Sequence, residues 1–248
     1  MMKRCFSAVF ILLVTTTLYA EQIVSQNEVT RAIWHGDRGQ PRVALTFDDG
    51  PKPEFCIPIL NVLDQYSVKA TFFVIGREAR WHPDLVHRIV ESGHDIGNHT
   101  YSHYRLDSLS RDQINIEIQA ANEIIESITG TKPLYFRPPG GRFNRVVLEE
   151  IQKNGLQAIN WSVNAGDYTQ ASKYFRPSID PQNIIRTVTQ GCKNGDIILM
   201  HNGGGATAEA LPRIILCLRK AGFKLVTVSE LLQNETPNMF GLQTNKNI

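Results

Sequence analysis

The chain has 248 residues, enough for one large domain or two small ones, and α/β barrels commonly reach this size as one domain. Hydrophobic residues make up 42% of the chain and charged residues 20%, which excludes a disordered protein. The formal net charge of +2, without a long basic run, argues against nucleic-acid binding. Partners must therefore be sought in local sites.

The N-terminus has the pattern of a secretory signal. Met1 to Arg4 form a short basic start, residues 5–18 are apolar or weakly polar, and Ala20 stands before Glu21. The pattern predicts a signal peptide over residues 1–20. The apolar run is short of the about 20 residues that a membrane span needs, although an uncleaved anchor is an alternative. We expect a secreted, periplasmic or cell-surface protein without a stable membrane span after cleavage.

From residue 42 onward, short apolar runs alternate with longer amphipathic stretches. Helices are predicted over residues 54–66, 82–93, 144–153 and 207–220, with a further one after the capping box at Ser110 and another after Asp180. Pro212 is expected in the first turn of its helix. Strands are predicted at the runs VALTF (43–47), KATFFVIG (69–76), HDIGN (94–98), PLYF (133–136), LQAINWSV (156–163), DIILM (196–200) and FKLVTV (223–228).

Strand followed by helix, repeated along the chain, indicates a parallel sheet with helices outside it. We predict a single α/β domain over residues 42–232, preceded by a peripheral segment (21–41) and followed by a C-terminal tail (233–248). His82, His87 and His94 lie on or beside a predicted helix, where surface or capping roles are expected. Cys56, Cys192 and Cys217 remain after signal removal, and free buried thiols are favoured over a Cys192–Cys217 disulfide.

Unusual polar residues follow five of the predicted strands. In parallel α/β folds the carboxyl ends of strands meet on one rim, and functional sites are built there. Loop polarity accounts for some of these positions but not for the residue types. The residues are Asp48 and Asp49, His99 with His103, Arg137, Asn164 with Asp167, and His201.

The run HTYSH places His99 and His103 four residues apart, so in a helical turn both imidazoles could reach one ion. With a carboxylate as third ligand, this is a set used by catalytic zinc, which leaves a position open for water. A solvated or structural histidine pair is the alternative. The adjacent carboxylates Asp48 and Asp49 favour the metal, because a cation offsets their repulsion. One carboxylate could then bind the metal while the other acts as a base, with Gly50 letting the backbone turn.

Five runs occur in an order and spacing that resemble the motifs of the polysaccharide deacetylase family, carbohydrate esterase family four. They are TFDDG (46–50), HTYSH (99–103), RPPG (137–140), WSVNAGDY (161–168) and ILMH (198–201). The resemblance runs from about Arg42 to Leu232. It implies a distorted (β/α) barrel and a divalent metal, usually zinc, held by Asp49, His99 and His103. The ligand types would also accept cobalt, nickel or manganese.

The resemblance also implies roles for the other residues. Asp48 would be the general base, paired with Arg137, and His201 the general acid, oriented by Asp167. Leu199 would line the pocket for the acetyl methyl group. The backbone N–H after Pro139, which belongs to Gly140, would donate to the oxyanion.

Three positions depart from the family pattern. Asn164 stands where an aspartate is common, Tyr168 where a tryptophan is common, and Gly140 where a tyrosine is frequent. The backbone donor at Gly140 survives the change, but a ring that would cover the sugar does not. We therefore expect a more open groove than in relatives that carry both aromatic residues.

The expected function is removal of N-acetyl groups from N-acetylglucosamine in an extracytoplasmic polysaccharide. Peptidoglycan is favoured over chitin oligosaccharides, because a short signal suits a bacterial wall enzyme. The alternatives are an O-acetyl esterase acting on xylan and a catalytically inactive carbohydrate-binding protein. An N-acetylated glycan is the expected partner; the oligomeric state is open, with a monomer as the default.

Overall fold

The computed structural model describes residues 31–168 and 179–233. The predicted signal peptide and the tail from residue 234 lie outside these ranges. Within them, no helix combines the length and apolar character that crossing a bilayer requires. The strands are β1 (Arg42–Gly50), β2 (Thr71–Val74), β3 (Asp95–Asn98), β4 (Tyr135–Phe136), β5 (Gln157–Ala158), β6 (Val163–Asn164), β7 (Ile197–His201) and β8 (Lys224–Val226).

Helices follow most of these strands along the chain, although two helices lie in succession between β2 and β3 and no helix separates β5 from β6. The sequence predicts neither α2 (Gly76–Trp81) nor α8 (Val228–Leu232). The capping box of α4 (Arg111–Thr129) at Ser110 and its left-handed stop at Gly130 are as predicted. The helices are α1 (Pro53–Gln65), α2 (Gly76–Trp81), α3 (Pro83–Glu91), α4 (Arg111–Thr129), α5 (Arg145–Lys153), α6 (Pro181–Gly191), α7 (Gly205–Lys220) and α8 (Val228–Leu232).

All strand pairs are parallel and form one sheet in the order β5-β4-β3-β2-β1-β7-β6, with β8 added to the start of β1. The sheet curves into a half-barrel with helices outside, so the predicted α/β fold is confirmed. β1 is the central strand, and it is buried from Val43 to Gly50. Val43, Leu45 and Phe47 pack among the apolar residues of α1 and α7, while Ala44 faces a separate cluster with Phe73. This alternation is the period of two that a strand buried on both faces requires.

Part of the segment predicted to be peripheral lies against the sheet. The backbone N–H of Ile33 donates to the carbonyl of Ala158 at 2.9 Å, and the N–H of Asn160 donates to the carbonyl of Ile33 at 2.7 Å. His35 forms a bridge with Asp196 at the start of β7. Residues 31–35 thus fasten the end of β5 to the other side of the half-barrel.

The run LQAINWSV forms two strands, not the single predicted one. β5 pairs with β4, whereas β6 pairs with β7 at the opposite end of the sheet order. Between them, the carbonyls of Ile159 and Asn160 accept hydrogen bonds from the Arg137 side chain at 3.3 and 3.1 Å. These two carbonyls therefore contact the buried guanidinium in the segment that separates β5 from β6.

Two smaller predictions are also wrong. α7 begins at Gly205 and not at residue 207, so Pro212 lies inside the helix and not in its first turn. Glycine has a poor helix propensity, so the sequence does not indicate that the helix begins at Gly205. His94 is buried and not at the surface, and its Nδ1 accepts the backbone N–H of Ala70 at 3.2 Å.

The cysteines of the described ranges are free. Cys56 is buried, and Cys192 and Cys217 are half-buried. Burial raises the pKa of the Cys56 thiol to about 11, and burial with the nearby Asp196 carboxylate raises that of Cys192 to about 12. Both thiols are therefore protonated at neutral pH and poorly nucleophilic.

Candidate active site

The residues singled out from the sequence meet at the carboxyl edge of the sheet. They surround one cavity of about 1250 Å³. Arg137 lies beside it, completely buried. The predicted residues that line the cavity are Asp48, Asp49, His99, His103, Pro139, Gly140, Asp167, Tyr168, Leu199 and His201.

A β-bulge places the two adjacent carboxylates in the same cavity. The register between β1 and β2 shifts between Asp48 and Gly50, and Asp49 has a φ of 73°. Successive side chains of a regular strand face opposite sides, and the bulge breaks that alternation. The backbone therefore turns at Asp49 and not, as predicted, at Gly50. Gly50 is needed for another reason: a Cβ there would lie 2.6 Å from Nδ2 of Asn202.

Asp49, His99 and His103 form a compact group. Oδ1 of Asp49 lies 3.1 Å from Nε2 of His103 and 3.5 Å from Nε2 of His99. One ligand atom from each residue lies within 4.8 Å of the other two. Nδ1 of His99 is 2.7 Å from the carbonyl of Arg137, so this nitrogen donates and leaves Nε2 free to bind an ion. The group could hold a divalent metal.

The loop that carries both histidines is not the helical turn expected from their spacing. Thr100 and His103 have left-handed backbone angles, with φ of 66° and 63°. Such angles cost free energy in non-glycine residues, so the surroundings must hold them. The N–H of Thr100 donates to Oδ1 of Asn98 at 2.7 Å, that of His103 to Oγ1 of Thr100 at 2.9 Å, and that of Ser102 to Oε2 of Glu117 at 2.7 Å.

The contacts within this group favour a charged carboxylate at Asp49 and a positive charge beside it. Burial raises the pKa of Asp49, but hydrogen bonds from His103 and His99 outweigh it and leave this pKa well below its usual range. Burial lowers the pKa of His99, but the carboxylates of Asp48 and Asp49 outweigh it and raise this pKa. Two adjacent carboxylates thus draw positive charge to this point of the cavity.

Asp48 is held by the buried guanidinium of Arg137. Nη1 of Arg137 donates to Oδ1 of Asp48 and to Oγ1 of Thr46, both at 2.7 Å. The guanidinium also lies over the ring of Phe73, 4.0 Å from its centroid. Burial lowers the pKa of Arg137, and the Asp48 carboxylate opposes this shift. With Oδ1 engaged, Oδ2 of Asp48 faces the histidines, 3.8 Å from Nε2 of His99.

On β7, His201 is oriented by a carboxylate that is itself held in place. Nδ1 of His201 lies 2.8 Å from Oδ1 of Asp167, and the backbone N–H of His201 donates to Oδ2 at 2.7 Å. The hydroxyl of Thr207 donates to the same Oδ2 at 2.7 Å. Burial lowers the pKa of His201, but the Asp167 carboxylate outweighs it and raises this pKa. The ring of Tyr168 stacks on that of His201 at a centroid distance of 4.8 Å.

The wall between these groups contains Gly140, Leu199 and a residue that sequence reasoning missed. Gly140 has a φ of 62°, and no acceptor among the described residues bonds its backbone N–H. Trp161 also lines the cavity and contacts Gly141, where a Cβ would lie 2.5 Å from the indole. Its place in the run WSVNAGDY is the one local signal for it, but the sequence predicts only a strand there.

A family model described as polysaccharide deacetylase matches residues 35–159. The chain is 36% identical over 203 residues to a peptidoglycan-N-acetylglucosamine deacetylase of Bacillus cereus, a match that covers 81% of this chain and 92% of that protein. The family match includes the positions of Asp48, Asp49, His99, His103 and Arg137.

Solved structures give the same picture, with one qualification. The Bc1960 peptidoglycan N-acetylglucosamine deacetylase superposes with a TM-score of 0.77 at 33% identity, covering 84% of this chain and 94% of that one. A CE4 family pseudoenzyme from Bacillus anthracis superposes with a TM-score of 0.75 at 30% identity, covering 82% and 69%. The fold is thus shared with active and inactive proteins, and the residues of the cavity must decide between them.

Proposed function

The chain belongs to the polysaccharide deacetylase family, and on that basis we propose that it is a metal-dependent hydrolase that removes N-acetyl groups from N-acetylglucosamine in peptidoglycan. The observation that carries the proposal is the arrangement around one cavity of a possible metal group, a carboxylate paired with a buried arginine, and an imidazole paired with a carboxylate. Amide hydrolysis needs water activation, charge stabilisation and protonation of the leaving amine, and each of the three has a candidate here.

Asp49, His99 and His103 are the residues that would hold the metal. Their fit rests on three donor atoms within 4.8 Å of one another and on the hydrogen bond that fixes the His99 ring. A divalent metal bound there would polarise the acetyl carbonyl and lower the pKa of a bound water. One carboxylate with two imidazoles favours zinc, with cobalt, nickel and manganese as alternatives.

The remaining residues would move protons and stabilise charge. Asp48 would take a proton from the attacking water, with Arg137 balancing its charge through the 2.7 Å contact. The N–H of Gly140 would donate to the oxyanion of the tetrahedral intermediate. His201 would give its Nε2 proton to the leaving amine, because Asp167 engages its Nδ1 and stabilises the imidazolium. Leu199 and Trp161 would enclose the acetyl methyl group.

Peptidoglycan is proposed as the substrate because relatives named peptidoglycan N-acetylglucosamine deacetylase match most of the chain, in sequence and in structure. The predicted signal over residues 1–20 agrees with an extracytoplasmic site of action. Chitin oligosaccharides and O-acetylated xylan are the competing substrates. A carbohydrate-binding protein without turnover is the competing function, since a CE4 family pseudoenzyme shares the fold.

The test is acetate release by the purified chain from peptidoglycan, chitopentaose and acetylated xylan. Each reaction is run after EDTA treatment and again after addition of zinc or cobalt. We expect metal-restored acetate from peptidoglycan, more from it than from chitopentaose, and little from xylan. Absence of acetate from all three, with metal binding demonstrated by calorimetry, would reject the enzyme and support the binding protein.

A further inference from the structure

Two arginines of the cavity wall have no part in the proposed chemistry. Arg105 follows the histidine loop after β3, and Arg142 follows the turn after β4; both line the cavity that contains Asp49 and Gly140. Both bind one carboxylate, that of Asp107. Nη2 of Arg105 lies 3.1 Å and Nε of Arg142 lies 3.3 Å from Oδ2 of Asp107. We refer to Arg105 and Arg142 as the arginine pair.

The arginine pair keeps a surplus of positive charge and of hydrogen-bond donors. Two guanidinium groups share one carboxylate, and their side chains are 58% and 57% exposed. Arg142 uses its Nε for Asp107, while its Nη1 and Nη2 donate to no group within the described ranges. Hydrogen bonds from Arg105 and Arg142 outweigh desolvation and hold the pKa of Asp107 below its usual value, so this carboxylate stays charged. Asp107 thus orients both side chains without exhausting their donors.

The arginine pair is placed to contact a part of the glycan next to the sugar that reacts, and not the bond that is broken. Cγ of Arg142 lies 3.8 Å from the point where a Cβ on Gly140 would be. His201 and Tyr168 lie on the side of β6 and β7, whereas the arginine pair follows β3 and β4 on the other side of β1. A sugar bound at the centre would therefore lie between these two sides, with a neighbouring group of the glycan at the guanidinium groups.

We propose that the arginine pair binds a carboxylate carried by the glycan beside the N-acetylglucosamine that is deacetylated. This inference rests on the proposed function and names a feature of its substrate. Planar guanidinium groups donate paired N–H bonds to carboxylates. A neutral chitin chain has no carboxylate to accept them. In peptidoglycan the carboxylate can be the free lactyl group of a muramic acid, or it can belong to a peptide linked to that group. The arginine pair then selects carboxylated glycans over neutral ones.

The experiment measures binding and not turnover, so that it is separate from the test of catalysis. Calorimetry is done with Asp48→Asn protein and, in parallel, with metal-free protein that retains Asp48. The first probe is a tetrasaccharide of alternating N-acetylglucosamine and N-acetylmuramic acid with free lactyl carboxylates. The second carries peptides on those carboxylates, and the third is chitotetraose.

The variant is Arg105→Ala with Arg142→Ala. Its control is Arg145→Ala, which removes an arginine that is 90% exposed and paired with Glu149 away from the cavity. We expect the double variant to bind the stronger-binding carboxylated probe at least tenfold more weakly than the parent does. Its affinity for chitotetraose should change less than twofold, and the control should bind all probes as the parent does. The difference in affinity for this probe between the double variant and the control should decrease as the salt concentration increases. The stronger-binding carboxylated probe identifies the source of the carboxylate.

Three outcomes would overturn the inference. The double variant could bind both carboxylated probes as tightly as the control, it could lose chitotetraose to the same extent, or the parent protein could bind none of the glycans. None of these depends on acetate release. If the protein shows the expected selectivity but releases no acetate, the carboxylate site is supported and only the proposed enzymatic activity is rejected.

Discussion

Asp48 and His201 are register partners on the neighbouring parallel strands β1 and β7. Each side chain contacts a charged partner of its own, Asp48 with Arg137 at 2.7 Å and His201 with Asp167 at 2.8 Å. The proposed base and the proposed acid thus have separate counter-charges, although their strands are bonded to each other. The two groups can therefore be tested one at a time.

Replacement of Asp48 by asparagine should remove the base and keep the metal group. We expect kcat to fall about 10²- to 10⁴-fold, the range for loss of a general base. Zinc affinity, measured by calorimetry, should change little because Asp49, His99 and His103 are retained. A lower melting temperature is also expected, because Arg137 loses its charged partner in the interior. Asp84→Asn, at an exposed carboxylate on α3, is the control; equal losses in both variants would contradict the assignment.

The pH profile should depend on the contact between His201 and Asp167. The acid must be protonated, so kcat falls as the pH rises through the pKa of His201, which Asp167 raises above its ordinary value. In Asp167→Asn the pKa is lower, so the alkaline decline should begin at lower pH, with kcat reduced about 10²-fold or more. The control is Asp64→Asn, an exposed carboxylate on α1. An alkaline limb that stays in place in Asp167→Asn would exclude His201 as the acid.

Metal binding should stabilise the folded chain independently of any activity. At a zinc concentration 100 times Kd, the free energy of unfolding should rise by about 2.7 kcal/mol over the EDTA-treated protein. His103→Ala removes one of the three proposed ligands and should abolish most of this gain. His87→Ala, at an exposed histidine of α3, should keep it. Thermal unfolding followed by circular dichroism measures the difference, and an equal gain in both variants would place the metal elsewhere.

Acid sensitivity should arise partly from the buried His94, which has no part in the proposed chemistry. Burial, with a smaller contribution from Lys69, lowers the pKa of His94 to about 4 from the ordinary 6.5. The unfolded chain then binds a proton more readily than the folded one. The stabilising contribution is present above pH 6.5 and is lost as the pH falls toward 4, at about 1.4 kcal/mol per unit and roughly 3 kcal/mol in all.

In His94→Gln this component of the stability profile should disappear. The measurement is urea unfolding at pH values between 4 and 7. His87→Gln is the matched control and should retain the slope of the parent chain. A parent and a His94→Gln variant with the same slope would show that other groups account for the acid sensitivity.

Local signals were sufficient for most elements of the fold. The apolar run of β1 and the capping box at Ser110 depend on near neighbours in the chain, and both are found as predicted. The division of LQAINWSV was not predictable, because its two halves pair with different distant strands, β5 with β4 and β6 with β7. No property of the eight residues themselves indicates that interruption.

At the candidate site, residue types at strand ends predicted which side chains gather on the rim. The backbone that brings them together was not predictable. Asp49, Thr100 and His103 adopt left-handed angles, which residues other than glycine rarely do without tertiary support. The place of Trp161 in the wall was not predicted either, because it depends on the path of the chain between β5 and β6.

The pairing of β1 with three other strands has a consequence for the order in which parts of the fold open. β1 bonds to β2 and β8 along one edge and to β7 along the other. Amide protons at Leu45 and Phe47 should exchange with deuterium only through global unfolding, whereas those of β5 should exchange through local opening. Local opening at β5 would then disturb Trp161 in the cavity wall before it reaches the carboxylates at the end of β1. Loss of the cavity wall at Trp161 should therefore precede loss of the carboxylate arrangement.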